Sequence, residues 1–129
     1  MALLTSILLL FHLVGPMPLD LGISQGQLSP CPGPAHCAHV VWKSTDPVAD
    51  LATLSDWLAK QPRTAIVELT PHYLHAEVSS AFFGFVDDLE ILASQGSIQT
   101  RSISRLGDSD LGVNARRLTE LRSSLYADF

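Results

Sequence analysis

From Tyr73 to Arg105 the sequence alternates between apolar and polar residues in short runs, and this pattern constrains the fold more than any other feature. Leu74, Ala76 and Val78 share one side of their run, while Tyr73, His75, Glu77 and Ser79 share the other. Asp88 and Glu90 alternate with Leu89 and Ile91, and Gln99 and Arg101 flank the interval after Ile98. A period of two puts successive side chains on opposite faces of a strand. Runs at 64–70, 73–79, 85–92 and 97–105, broken by Pro71-His72 and by the turn residues at 80–84 and 94–96, predict four strands. Connections this short favour antiparallel pairing.

A helix is expected on each side of these runs. Asp46-Pro47 offers a capping carboxylate and a proline suited to the first helical position. Val48, Leu51, Leu54, Trp57 and Leu58 follow at helical spacing as far as Lys60, and Pro62 ends the pattern. From Asn114 a second helix presents Leu118, Leu121 and Leu125 on one side. The expected fold is α+β: a four-stranded antiparallel sheet with an N-terminal and a C-terminal helix packed on one face, preceded by an apolar N-terminal segment. The other face of the sheet is expected to be wet.

Charge divides the chain. Residues 1–42 contain one acid, Asp20, and no Lys or Arg; all 8 basic residues and the other acids lie in 43–129. Three segments follow: an apolar membrane-contact or signal-like segment at 1–15, a Pro/Gly-rich connector with both cysteines at 16–42, and the α+β domain at 43–129. The apolar run MALLTSILLLFHLV would span about 21 Å as a helix, against about 30 Å of bilayer hydrocarbon. That length suits a signal-peptide apolar region, a short anchor or an interfacial helix, although no basic residue precedes it and no A-x-A site follows. A buried helix is the alternative, but the run has almost no polar face. A net charge of −5 with no basic face excludes nucleic acid as a partner.

His75, Glu77, Asp88, Glu90 and Arg101 are expected to meet on the polar sheet face, with Arg105 nearby and Asp87 pointing the other way. Two readings compete there. One is a set of cross-strand ion pairs; the other is a magnesium, calcium or polar-ligand site built from Asp87, Asp88, Glu90 and His75. The 107–114 loop has oxygens at Asp108, Asp110 and Asn114 like a calcium loop, but a turn with a helix cap explains it more simply. Cys31 and Cys37, with five residues between them, suit a local disulfide; His36 and His39 beside them raise a metal alternative, and the spacing is not C-x-x-C. Phe82, Phe83 and Phe85 are read as core residues of a small domain; Phe82 and Phe83, if exposed, would be a membrane or partner contact. No cofactor and no metal is assigned.

Four blocks of sequence carry a resemblance: Cys31-Pro32 with Cys37; Tyr73-Leu74-His75-Ala76-Glu77; the run from Phe83 to Glu90 with its FVDD-x-E core; and RSISRLGDSDLGVNAR from Arg101 to Arg116. Together they resemble the domain-of-unknown-function family numbered 1499, found in cyanobacteria, plastids and many proteobacteria, over about residues 28 to 125. The family usually has Ser-Pro-Asn-Cys followed by Val-Ser-Ser, where this chain has Gly-Pro-Ala-His36-Cys37-Ala38-His39. The resemblance implies a shared surface around Asp87, Asp88, Glu90, Arg101, Ser102, Ser104, Arg105, Asp110, Asn114 and Arg116, and no reaction. The expected function is a non-catalytic, membrane-associated binding or assembly protein. It would contact the membrane through residues 1–15 and a protein partner through the polar sheet face, and be membrane-associated or exported to the periplasm or thylakoid lumen. The alternatives are a metal-assisted hydrolase using Asp88, Glu90 and His75, and a thiol-redox protein.

Overall fold

Asp46 accepts a hydrogen bond from the amide of Ala49 at 3.2 Å, and Pro47 occupies the first turn of the helix that follows. This local chemistry starts helix α1, Pro47–Ala59, where the sequence pattern places it. The computed structural model describes residues 15–81, 84–107 and 110–126. Its strands are β1 (Ile23–Ser24), β2 (Gln27–Leu28), β3 (Cys37–Lys43), β4 (Thr64–Leu69), β5 (Tyr73–Ser79), β6 (Val86–Ser94) and β7 (Ser97–Ser104), and the second helix is α2 (Val113–Ser124).

The main sheet has five strands rather than the four expected, in the order β3-β7-β6-β5-β4, all antiparallel. The extra strand, β3, begins inside the stretch read as a connector and pairs with β7, Cys37 opposite Ile103 and Lys43 opposite Ser97. Its alternation is hard to read because it is an edge strand, with Val40 and Val41 both exposed. The β6–β7 hairpin turns through Gln95-Gly96, and Gly96 has a positive φ of 73° that the tight turn requires.

Both helices cover one face. Leu51, Leu54 and Leu58 of α1 and Leu118 and Leu121 of α2 bury against Trp42, Leu74, Ala76, Leu89, Ile91, Ala93 and Ile98. Each of the buried leucine and isoleucine side chains contributes about 1.5–3 kcal/mol by leaving water. The opposite face is not wet, which corrects the expectation. Chain from Asp20 to Pro30, including the small β1–β2 hairpin, folds across it, and Leu28 buries against Tyr73 and Leu92. Cys31 and Cys37 form a disulfide that ties the end of this covering strap to the start of β3. A loop this small stabilises by about 2 kcal/mol. The apolar run at 1–14 and the pair Phe82-Phe83 lie outside the described residues. Among the described residues no helix is long and apolar enough to cross a membrane.

Candidate functional site

Strand register builds the site. His75 lies opposite Glu90, Glu90 opposite Arg101 and Arg101 opposite His39, so one row of side chains crosses four strands. The next row sets Glu77 opposite Asp88. The structure thus brings His75, Glu77, Asp88, Glu90 and Arg101 together on one face, with Arg105 reaching in from the end of β7. Asp88, Glu90 and Arg101 are completely buried.

Arg101 sits between two carboxylates. Its Nε donates to Glu90 Oε1 at 3.1 Å, Nη1 to Asp20 Oδ2 at 2.8 Å and to the Pro30 carbonyl at 3.3 Å, and Nη2 to Asp20 Oδ1 at 3.0 Å. Glu90 Oε2 also accepts from the Tyr73 hydroxyl at 2.6 Å and from the Gly22 amide at 2.7 Å. Beside this cluster, Asp88 accepts two bonds from Arg105, at 2.8 and 3.0 Å, and lies 2.7 Å from His75 Nε2. Arg105 Nη2 donates in addition to Glu77 at 2.9 Å.

A second cluster lies on the helix side. Arg117 Nη1 is 2.8 Å from Asp87 Oδ2 and donates to Ser102 Oγ and Asn114 Oδ1 at 3.0 and 2.9 Å. Ser102 Oγ donates to the same Asn114 oxygen at 2.6 Å. The Asn114 amide nitrogen is within reach of Asp110 Oδ2, Ser104 Oγ and the His36 carbonyl, at 2.7, 2.8 and 3.1 Å. Asp110 accepts from the amides of Gly112 and Asn114, which makes the 110–114 stretch a capping turn for α2. Arg116 stands apart, exposed, with Nη1 donating to the Leu111 carbonyl at 3.3 Å.

A family-wide sequence model described as "Protein of unknown function (DUF1499)" matches residues 27–125. The chain belongs to the DUF1499 family. No curated protein matches it. The DUF1499 span holds both clusters except for one contribution: Asp20 and Gly22, which engage Arg101 and Glu90, lie upstream of the matched residues. The central ion cluster of this DUF1499 domain is therefore completed by chain outside the span.

Sequence reasoning missed three members of these clusters: Asp20, Tyr73 as a donor, and Arg117. Asp20 carried a signal, being the lone acid of the first 42 residues. Cys31 and Cys37 are committed to the disulfide, and His39 is exposed on edge strand β3. Although the residue is solvent-accessible, partial desolvation of its ring against the sheet holds the His39 imidazole below its ordinary range, and the Arg101 charge adds to this. Among the described residues no group of three or more His, Cys, Asp or Glu side chains is arranged to hold a metal ion.

The electrostatics give a pH dependence. Hydrogen bonding from Arg101 lowers the Asp20 pKa, and partial burial opposes it only in part. Burial pushes Asp88 upward, but hydrogen bonds from His75 and Arg105 outweigh it and the net shift is downward. Asp110 behaves alike: burial raises it, while Asn114 and the Gly112 and Asn114 amides lower it further. Burial first, and Glu90 second, push the Tyr73 phenol upward, so it stays a donor. A carboxyl with a depressed folded pKa contributes stability that is complete above its unfolded value, and that contribution disappears as pH falls through the folded one. Urea midpoints are expected to be flat from about pH 7 to 5 and to drop steeply below about pH 4. A flat profile to about pH 2 would contradict these assignments.

Proposed function

We propose that this chain is a non-catalytic, membrane-associated binding or assembly protein. The observation that carries the reading is the state of the carboxylates a hydrolase would use. Asp88 and Glu90 are buried and already hydrogen-bonded to Arg105, His75, Arg101, Tyr73 and the Gly22 amide. A metal or water nucleophile could reach them only by opening paired charges that cost several kcal/mol to separate from their partners. Groups used this way stiffen a scaffold and do not turn over a substrate.

The membrane part of the proposal rests on residues 1–15, whose first fourteen residues carry no Asp, Glu, Lys or Arg. The partner part uses what remains accessible on the polar sheet face: His39, Val41 and Lys43, every second residue of edge strand β3. The test is flotation of the full-length protein with phosphatidylcholine–phosphatidylglycerol vesicles, alongside Leu8→Arg/Leu9→Arg. The wild-type chain is expected to float and the double variant to stay at the bottom while keeping the same circular-dichroism spectrum. A wild-type chain that does not float overturns the membrane reading.

A further inference from the structure

The five-stranded sheet has two edges, and they differ in charge. Edge strand β3 bears His39 and Lys43 and no acid. Edge strand β4 bears Glu68 and is entered from Arg63, so its rim is balanced. Arg63, Ala65, Val67, Glu68 and Leu69 are all exposed, Val67 at 51% and Leu69 at 53%. Among the described residues neither Arg63 nor Glu68 has an ion partner. The Arg63 side chain is held only through Nε, which donates to the Ser79 carbonyl at 3.2 Å.

Register decides what this rim can pair with. Ala65 lies opposite Glu77 and Glu68 opposite His75, because the ladder shifts by one residue between Ile66 and Glu68. Val67 is the extra residue of that bulge. Residues directly opposite each other share a face, so Ala65 and Glu68 both lie on the polar face with Glu77 and His75. Arg63 continues the ladder opposite Ser79, whose amide donates to the Arg63 carbonyl at 2.9 Å, although its own backbone is left-handed at φ 54°. In an unbroken strand Arg63 and Glu68 would fall on opposite faces. The bulge instead sets them at equal ladder distances on either side of Ala65. Because the Arg63 carbonyl points toward β5, the N–H and C=O groups of Thr64 and Ile66 point outward by alternation, and no strand pairs with them there.

From this register we infer that β4 pairs with β4 of a second copy of the chain, antiparallel, about a two-fold axis at Ala65. Arg63 then lies opposite Glu68 of the second copy and Glu68 opposite Arg63 of the second copy, which gives two cross-strand ion pairs on the polar face. Thr64 and Ile66 lie opposite Ile66 and Thr64 of the second copy and exchange four backbone hydrogen bonds with them. Ala65 meets its own counterpart at a non-hydrogen-bonded position, where strands approach most closely and a small side chain fits. The acid beside it on β5, Glu77, is engaged by Arg105 and leaves this charge balance intact. The occupant is a second copy because the order cation, small residue, anion is its own complement when reversed, as an isologous contact requires. Strand β3 has no acid and offers no such match. The dimer goes beyond the membrane reading and does not depend on it, and it leaves His39, Val41 and Lys43 free for another partner.

Sedimentation equilibrium of the full-length protein in a density-matched detergent tests this. The wild-type chain is expected to dimerise, and Arg63→Glu and Glu68→Arg are each expected to weaken self-association about tenfold, since two attractive pairs become two repulsive ones. Mixed together, the two single variants are expected to recover the wild-type affinity, because every contact between positions 63 and 68 then joins opposite charges. That recovery also shows that both variants are folded. A second readout fixes the register. Both native cysteines are in the disulfide, so Ala65→Cys is expected to cross-link to itself under mild oxidation, and Val41→Cys on β3 is not. A monomeric wild-type chain, a dimer that neither charge reversal weakens, a mixture that does not recover, or cross-linking at 41 and not at 65 overturns the inference. None of these results bears on flotation, so the membrane reading stands or falls separately.

Discussion

Arg101→Leu is expected to lower the unfolding free energy by about 3–5 kcal/mol, because it strands Glu90 without its countercharge in a fully buried position. Against the about 5–15 kcal/mol that stabilises a typical domain, that loss is severe. The magnitude comes from the asymmetry between removing one partner and removing both. Arg101→Leu combined with Glu90→Leu and Asp20→Asn deletes the charges together, and the triple variant should recover much of the lost stability. Tyr73→Phe belongs in that background as well, since its hydroxyl would otherwise lose its acceptor. Urea denaturation of the single and combined variants reads the difference. A single variant within about 1 kcal/mol of wild type would mean that water or another group reaches Glu90 on the timescale of unfolding.

The same cluster shows what the sequence could and could not reveal. Alternation along 73–79 and 86–92 correctly separates the faces, since each residue's face follows from its neighbours alone. That His75, Glu77, Asp88, Glu90 and Arg101 converge follows from alternation plus short turns. Which face is covered does not follow, because the cover comes from far away in the chain: Asp20 reaches Arg101 across 81 residues. Asp20 stands out as the lone acid of the first 42 residues, but nothing local to it names Arg101 as its partner. β3 escapes for a related reason. As an edge strand it leaves Val40 and Val41 both exposed, so no clean period of two marks it, and its partner is the last strand of the meander. Arg117 reads as part of a solvated helix face, yet a long side chain crosses back to Asp87 and Ser102. The disulfide was legible because its ring closes within seven residues.

Asn114 carries the second large expected effect, and its direction with pH separates it from every other carboxylate change. Its amide nitrogen serves Asp110, Ser104 and the His36 carbonyl, and its oxygen receives Ser102 and Arg117, so neither atom has spare capacity. Asn114→Ala leaves these groups to find new partners in a site with no solvent exposure, at about 3 kcal/mol. Asn114→Asp is nearly the same shape and should be worse at neutral pH. It removes the donor and puts a carboxylate oxygen where the amide nitrogen stood, 2.7 Å from Asp110 Oδ2. Two carboxylates so close cannot both ionise, so the pair holds one proton and its folded pKa rises above the unfolded value. The sign is then opposite to that of wild-type Asp20, Asp88 and Asp110. An acid whose folded pKa is raised favours the fold below its unfolded pKa, and that advantage is lost as pH climbs through the folded value. The stability gap between Asn114→Asp and wild type should therefore narrow from about pH 7 to pH 4, while the gap for Asn114→Ala stays constant. Parallel urea titrations of the three proteins decide it: a gap for Asn114→Asp that does not change with pH would show that the amide nitrogen does not face Asp110.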